Sequence, residues 1–246
     1  LSLMLIKQGQ RLAAYNIDLR LPHSHVRIPE AAARLPLNAD DAPISLRLQS
    51  SEVSLADLAP FLPALADLPE VLQVEADVSG TMNNPVLETL SISRGDNLSL
   101  TARAELRDLL HAQRLYIDGR VAQLRLSTAG LGLLMRHLSN PSTTLPAPLK
   151  QLGTLHFTGE ISGFLDRLVA YGSLHSDVGR LDIDLMVGSN RRERIATLLQ
   201  GHIESSDLDL RHLFAGNDGR ESPLGNARFS AEVDASQPLG GELAGT

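Results

Sequence analysis

Apolar residues recur at every second position through long stretches of the chain. Ile44, Leu46 and Leu48 alternate with Ser45, Arg47 and Gln49, and Val74, Ala76 and Val78 with Glu75, Asp77 and Ser79. Leu98, Leu100, Ala102, Ala104 and Leu106 continue the pattern against Ser99, Thr101, Arg103 and Glu105. It returns at Leu155, Phe157 and Ile161, at Leu181, Ile183 and Leu185, and at Phe229, Ala231 and Val233. Successive strand side chains point to opposite faces, so this period predicts strands with one dry face and one wet face. Turn-forming residues separate the runs at Ser79-Gly80, Asn83-Asn84-Pro85, Gly95-Asp96-Asn97, Val178-Gly179-Arg180 and Asn217-Asp218-Gly219. Between Val121 and Leu124 the phase slips by one, which predicts a bulge or a corner. Short helices are expected after three of the strands. Ser54-Leu55-Ala56-Asp57 reads as a capping box leading into Leu58, Leu62 and Leu65, kept short by Pro60 and Pro63. Leu131 to Leu138, ended by Asn140-Pro141, is the strongest helical stretch, and Asp209 to Phe214, ended by Gly216, is a single turn. The pattern is that of antiparallel β structure with one apolar face.

The chain also resembles itself. An offset of 83 positions lays Leu62-Pro63-Ala64 on Leu145-Pro146-Ala147, Leu72, Val74 and Val78 on Leu155, Phe157 and Ile161, and Ser79-Gly80 on Ser162-Gly163. It also lays Leu98, Leu100 and Ala102 on Leu181, Ile183 and Leu185, while an offset of 82 lays Gly119 and Val121 on Gly201 and Ile203. The resulting organisation is leading strands and a loop over 1–43, a first β repeat over 44–126, and a second over 127–210 with its helix near 131–138. A third, truncated repeat covers 211–246. Units of four or five strands plus a short helix stack into a quasi-one-dimensional array whose apolar faces join into a stripe.

Composition narrows the function classes. The 246 residues carry 22 Lys+Arg against 29 Asp+Glu, a net charge of −7 that does not suit nucleic-acid binding. The absence of cysteine excludes disulfides and thiolate chemistry. Nothing approaches the about 18 unbroken apolar residues of a membrane span. The abrupt start at Leu1 and finish at Thr246 suggest a piece of a longer protein.

Candidate chemistry is sparse. His23-Ser24-His25 places two imidazoles on one side of a strand without a third ligand nearby in sequence, and a solvated loop between Pro22 and Pro29 is the simpler reading. Asp182 with Asp184, and Asp207 with Asp209, pair carboxylates on one face, as any wet face does. Arg94-Gly95-Asp96 is explained by a hairpin tip, the Asn97-Leu98-Ser99 sequon by an inward Leu98, and Arg191-Arg192-Glu193-Arg194 by a hairpin end. Phosphate loop, dinucleotide fingerprint and nucleophile elbow are absent, so neither an enzyme nor a cofactor or metal site is expected.

The stretches 74–109 and 152–187, with their Ser-Gly turns and short paired strands, resemble the translocation and assembly module subunit TamB family of AsmA-like bacterial envelope proteins. The resemblance covers most of the chain from Ile44 onward. It implies a periplasmic protein anchored in the inner membrane by an N-terminal helix, with a long β-rich groove lined by apolar side chains. It also implies work with an Omp85-type outer-membrane barrel, in outer-membrane protein assembly and in phospholipid movement between membranes. This chain has neither the anchor helix nor a recognisable C-terminal domain, so attachment and barrel docking would lie in other parts of a parent protein.

Alternation alone fits a packed core as well as a groove, whereas 5 Phe, 3 Tyr and no Trp leave few large fillers for a closed sandwich. With the resemblance, the expected fold is an elongated, repeating antiparallel sheet, mainly β, curved or taco-like around an apolar inner groove. The expected acyl-chain lining is Leu46, Leu48, Val74, Ala76, Val78, Leu98, Leu100, Ala102, Leu155, Phe157, Ile161, Leu181, Ile183, Leu185, Phe229 and Val233. The expected partner is the phospholipid acyl chain, with no nucleic acid. A scaffold that pairs its open sheet edges with extended outer-membrane strands is the alternative.

Overall fold

The computed structural model describes residues 2–35, 41–58, 70–111, 113–132, 150–164, 166–190, 195–213, 225–238 and 244–245. The described strands are β1 (Ser2–Gln8), β2 (Arg11–Arg20), β3 (His25–Arg34), β4 (Ile44–Ser54), β5 (Val71–Gly80), β6 (Pro85–Arg94) and β7 (Leu98–Arg107). They continue as β8 (Tyr116–Leu126), β9 (Leu155–Phe164), β10 (Arg167–Ser176), β11 (Gly179–Asn190), β12 (Ile195–Asp209), β13 (Asn226–Pro238) and the short β14 (Ala244–Gly245). Strand order follows chain order, the registered pairs are antiparallel, and the sheet is not closed. The chain is mainly β, as the alternation predicts. It divides into two compact units, Leu1–Gly119 and Arg120–Thr246, and β8 passes from one to the other.

The predicted turns set the hairpins. Gly95 takes a positive φ of 48° at the tip between β6 and β7, where the Asn97 N–H donates to the Arg94 carbonyl at 3.0 Å. Gly80 ends β5 at φ 97°, and a Cβ there would stand 2.6 Å from the Asn84 carbonyl oxygen. Asn83 and Asn84 then clamp the loop after β7. Buried Asn83 Nδ2 donates to Asp108 Oδ1 at 3.2 Å, its Oδ1 accepts the Leu110 N–H, and Asn84 Oδ1 accepts the Asp108 N–H. The phase slip in β8 shows as two consecutive exposed residues, Ala122 and Gln123, between buried Val121 and half-buried Leu124.

Helical turns follow β4, β8 and β12, at Leu55–Leu58 (a 3-10 turn), over 128–132, and at Leu210–Leu213. The capping-box expectation needs correction. Asp57 does not fold back onto Ser54; its carboxylate accepts the His23 N–H at 3.1 Å and the Ser24 hydroxyl, while the Ser54 N–H donates to Ser24 Oγ at 2.9 Å. A tertiary acceptor replaces the local one, because Ser24 and Ser54 are both buried and their polar groups need partners. The solvated-loop reading of His23-Ser24-His25 holds at exposed His23, whereas Ser24 is buried and pinned and His25 begins β3.

Bulged strands create the most enclosed polar side chains. Ser51 is 0% exposed where the β4–β5 register shifts, next to Ser50 at φ 35°. Its hydroxyl accepts the Arg27 N–H at 2.9 Å and donates to the Gln49 carbonyl at 3.1 Å. Ser205, at a register shift between β11 and β12, donates to the Arg180 carbonyl at 2.8 Å. Ser51→Ala would leave a buried N–H without an acceptor, and urea unfolding is expected to show a loss of about 2 kcal/mol. An unchanged midpoint would mean that water replaces the hydroxyl.

The Leu-Pro-Ala anchors, Leu62, Leu65, most of the Leu131–Leu138 stretch with Asn140-Pro141, the Arg191–Arg194 run, Phe214, Gly216 and the Asn217-Asp218-Gly219 turn lie outside the described residues.

Candidate apolar face

Strand registers place the expected lining residues in rows within each unit. In the first unit, Leu46 lies opposite Val78 and Val78 opposite Leu87; Leu48 opposite Ala76, Ala76 opposite Leu90, and Leu90 opposite Ala102; Val74 opposite Ile92 and Ile92 opposite Leu100. In the second unit, Phe157 lies opposite Leu174 and Leu174 opposite Leu181. Ile161, Ala170, Leu185, Gly201 and Val233 form another row, and Ile183 stands between Gly172 and Ile203. Leu98 and Leu155 share these faces by their even spacing from Leu100 and Phe157, and Phe229 lies opposite Ser205.

The burial of these side chains bears on whether the face is a closed core. Ala76, Leu155 and Phe157 are buried, and the other thirteen of the sixteen are half-buried. A second sheet packed face to face would remove such side chains from water almost completely. Each unit instead keeps a partly wet apolar face.

Sequence reading missed the contributions of β6 and β10. Leu87, Leu90 and Ile92, and likewise Leu168, Ala170 and Leu174, complete the rows. In β6 a register shift between Leu87 and Leu90 interrupts the alternation. In β10 exposed Tyr171 and half-buried Val169 put apolar residues on both faces. Neither run has a clean period of two.

The opposite face is mostly polar and several of its charges are paired. Arg47 Nε donates to Asp77 Oδ1 at 2.8 Å and Arg120 Nη2 to Glu160 Oε1 at 3.1 Å. His25, which lacks a third ligand nearby in sequence, pairs with Asp18 across the β2–β3 hairpin at 3.0 Å, and this holds the Asp18 carboxyl below its ordinary range. Asp207 accepts from Asn226, and Asp209 from Arg211. No three described His, Asp or Glu side chains converge as a metal site.

Asp182 takes a hydrogen bond from the Ser173 hydroxyl at 2.6 Å and one from Arg180 Nη2 at 2.9 Å, which lower its pKa in that order of weight. A carboxyl lowered in the fold adds stability above its unfolded pKa and loses it as pH falls through the folded one. In a carboxyl carbon NMR titration, Ser173→Ala and Arg180→Gln are each expected to raise the Asp182 midpoint. A midpoint that neither substitution moves would remove this account.

One cluster has the outline of a nucleophilic relay. His202 Nδ1 lies 3.1 Å from Glu232 Oε1, and its Nε2 lies 3.1 Å from Ser230 Oγ. It stands on the wet face, with the Glu232 side chain 83% exposed. Strand N–H groups lie in the plane of the sheet, so none is aimed at an oxyanion above Ser230. The arrangement orders the wet face.

Among the described residues no helix is long and apolar enough to cross a membrane. Comparison of the chain with protein-family models, with curated proteins and with solved structures yields no match.

Proposed function

We propose that this chain is a periplasmic bridge segment whose apolar face carries phospholipid acyl chains between the inner and outer membranes, in support of outer-membrane biogenesis. The observation that carries this reading is the set of Leu, Ile, Val and Ala rows left half-buried on one face of each unit. Each methylene moved from water onto such a surface contributes about 0.8 kcal/mol, so a long acyl chain is held without a polar anchor. Successive rows are chemically alike, which lets the chain slide without a deep trap. The function is burial and not catalysis. The likeness of 74–109 and 152–187 to TamB-like proteins points the same way.

The test is native mass spectrometry with lipid extraction on chain purified from a Gram-negative host. Co-purifying phospholipid is expected. Folded chain that stays free of lipid under excess phospholipid would sink the reading.

A second reading, the assembly scaffold, is favoured by a separate observation. Strand β1 is an edge with Met4 58% and Leu5 59% exposed, a surface that suits pairing with an extended client strand. Binding of an outer-membrane strand peptide that Leu5→Pro abolishes would select it.

A further inference from the structure

Several arginines on the wet face meet an acid, Arg47 and Arg120 among them, whereas Arg11 and Arg34 lie opposite each other. They are direct cross-strand partners at the start of β2 and the end of β3, and both are exposed. Neither makes an ion pair or a side-chain hydrogen bond among the described residues, whereas nearby Arg47 is neutralised by Asp77. Like charges placed directly opposite each other destabilise a sheet. In a chain of net charge −7, an unneutralised pair of this kind is a feature that a bound anion would relieve.

The pair borders a cleft of about 300 Å³. Its lining comes from both faces of the strand ends: Arg11, Arg34 and Ser45 from the wet rows, Ala33 and Ile44 from the apolar rows, and Pro43 from the approach to β4. Two guanidinium forks and a hydroxyl are donors matched to a tetrahedral oxyanion, and the apolar residues beside them suit a ligand whose anionic group carries hydrocarbon.

We propose that this rim cleft binds a phosphate group through Arg11 and Arg34, as free phosphate or as the phosphodiester of a lipid headgroup. The inference stands apart from the acyl-chain reading, since the guanidinium groups belong to the wet rows and Ile183 lies in the other unit.

The experiment follows the arginine Nε–Hε signals of the ¹⁵N-labelled full chain during titration with sodium phosphate or with dihexanoyl phosphatidylglycerol below its micelle concentration. Sodium chloride at matched ionic strength is the control. Saturable shifts of the Arg11 and Arg34 signals are expected. Binding of the short lipid about tenfold tighter than phosphate assigns a headgroup, and equal binding assigns free phosphate. The Arg11→Gln, Arg34→Gln double variant should lose saturation with thermal stability unchanged or raised, while Arg103→Gln, an exposed arginine elsewhere, should keep it. Absence of saturation with both ligands, equal shifts in chloride, or saturation that survives the double variant would overturn the proposal.

Discussion

An Ile183→Glu chain is expected to fold normally and to carry no phospholipid. Ile183 is half-buried on β11, opposite Gly172 on one side and Ile203 on the other. The side chain still reaches water, so in the lipid-free chain a glutamate can hydrate its carboxylate. Once an acyl chain covers the row, that carboxylate is held against methylenes at a cost of about 3 kcal/mol or more. That is about a hundredfold in occupancy. Leu100→Glu makes the same change in the first unit, in the row that runs through Ile92 and Val74. Asp184→Asn, on the wet face beside Ile183, should leave lipid content untouched. The quantity to measure is phosphorus per mole of purified chain, with far-ultraviolet circular dichroism to confirm folding. If both glutamate variants retain the wild-type lipid load, the apolar rows are not the lipid surface. If Leu5→Pro alone lowers binding of an extended peptide, the β1 edge is the working surface instead.

The strands were legible because their chemistry is periodic. Leu98 to Leu106 and Leu181 to Leu185 alternate cleanly, and they form β7 and β11 with the expected residues on one face. The Gly95-Asp96-Asn97 turn was legible because a hairpin tip requires a positive φ there, and Gly supplies it. The chemistry of the bulges was hidden. Ser51 and Ser54 are both hydrophilic, and Ser54 reads as a cap residue, yet the register shift in β4 carries them inside, where they bond to β3 and the preceding loop. No local pattern announces a partner 24 or 30 residues away. The Arg11–Arg34 pair was hidden for the same reason, because each arginine alone looks like an ordinary wet-face charge.

Gly172→Val is expected to cost about 3 kcal/mol. Gly172 and Gly159 lie directly opposite each other on β10 and β9. A Cβ on Gly172 would stand 2.7 Å from Gly159 Cα and 2.9 Å from Phe157 Cε2, and would also crowd the Thr158 carbonyl. A Cβ on Gly159 would stand 2.7 Å from Phe157 Cζ. The Phe157 ring therefore lies over the bare backbone of the glycine pair, and it is only 5% exposed. An aromatic side chain that covers cross-strand glycines restores the packing they lack. The other unit fills the corresponding row differently, with the 83-residue offset laying Phe157 and Gly159 on Val74 and Ala76 and with Leu90 opposite Ala76 as Gly172 is opposite Gly159. There Ala76 and Leu90 fill the row themselves. Phe157→Ala removes the cover, and a cost of about 4 kcal/mol is expected for a buried phenylalanine. Val74→Ala, in the row that supplies its own filling, should cost less, about 2 kcal/mol. Urea unfolding of the three variants measures this order directly. A Gly172→Val chain with the wild-type midpoint would mean that the ring is free to swing off the glycines, and a Val74→Ala loss equal to that of Phe157→Ala would mean that the two rows are packed alike.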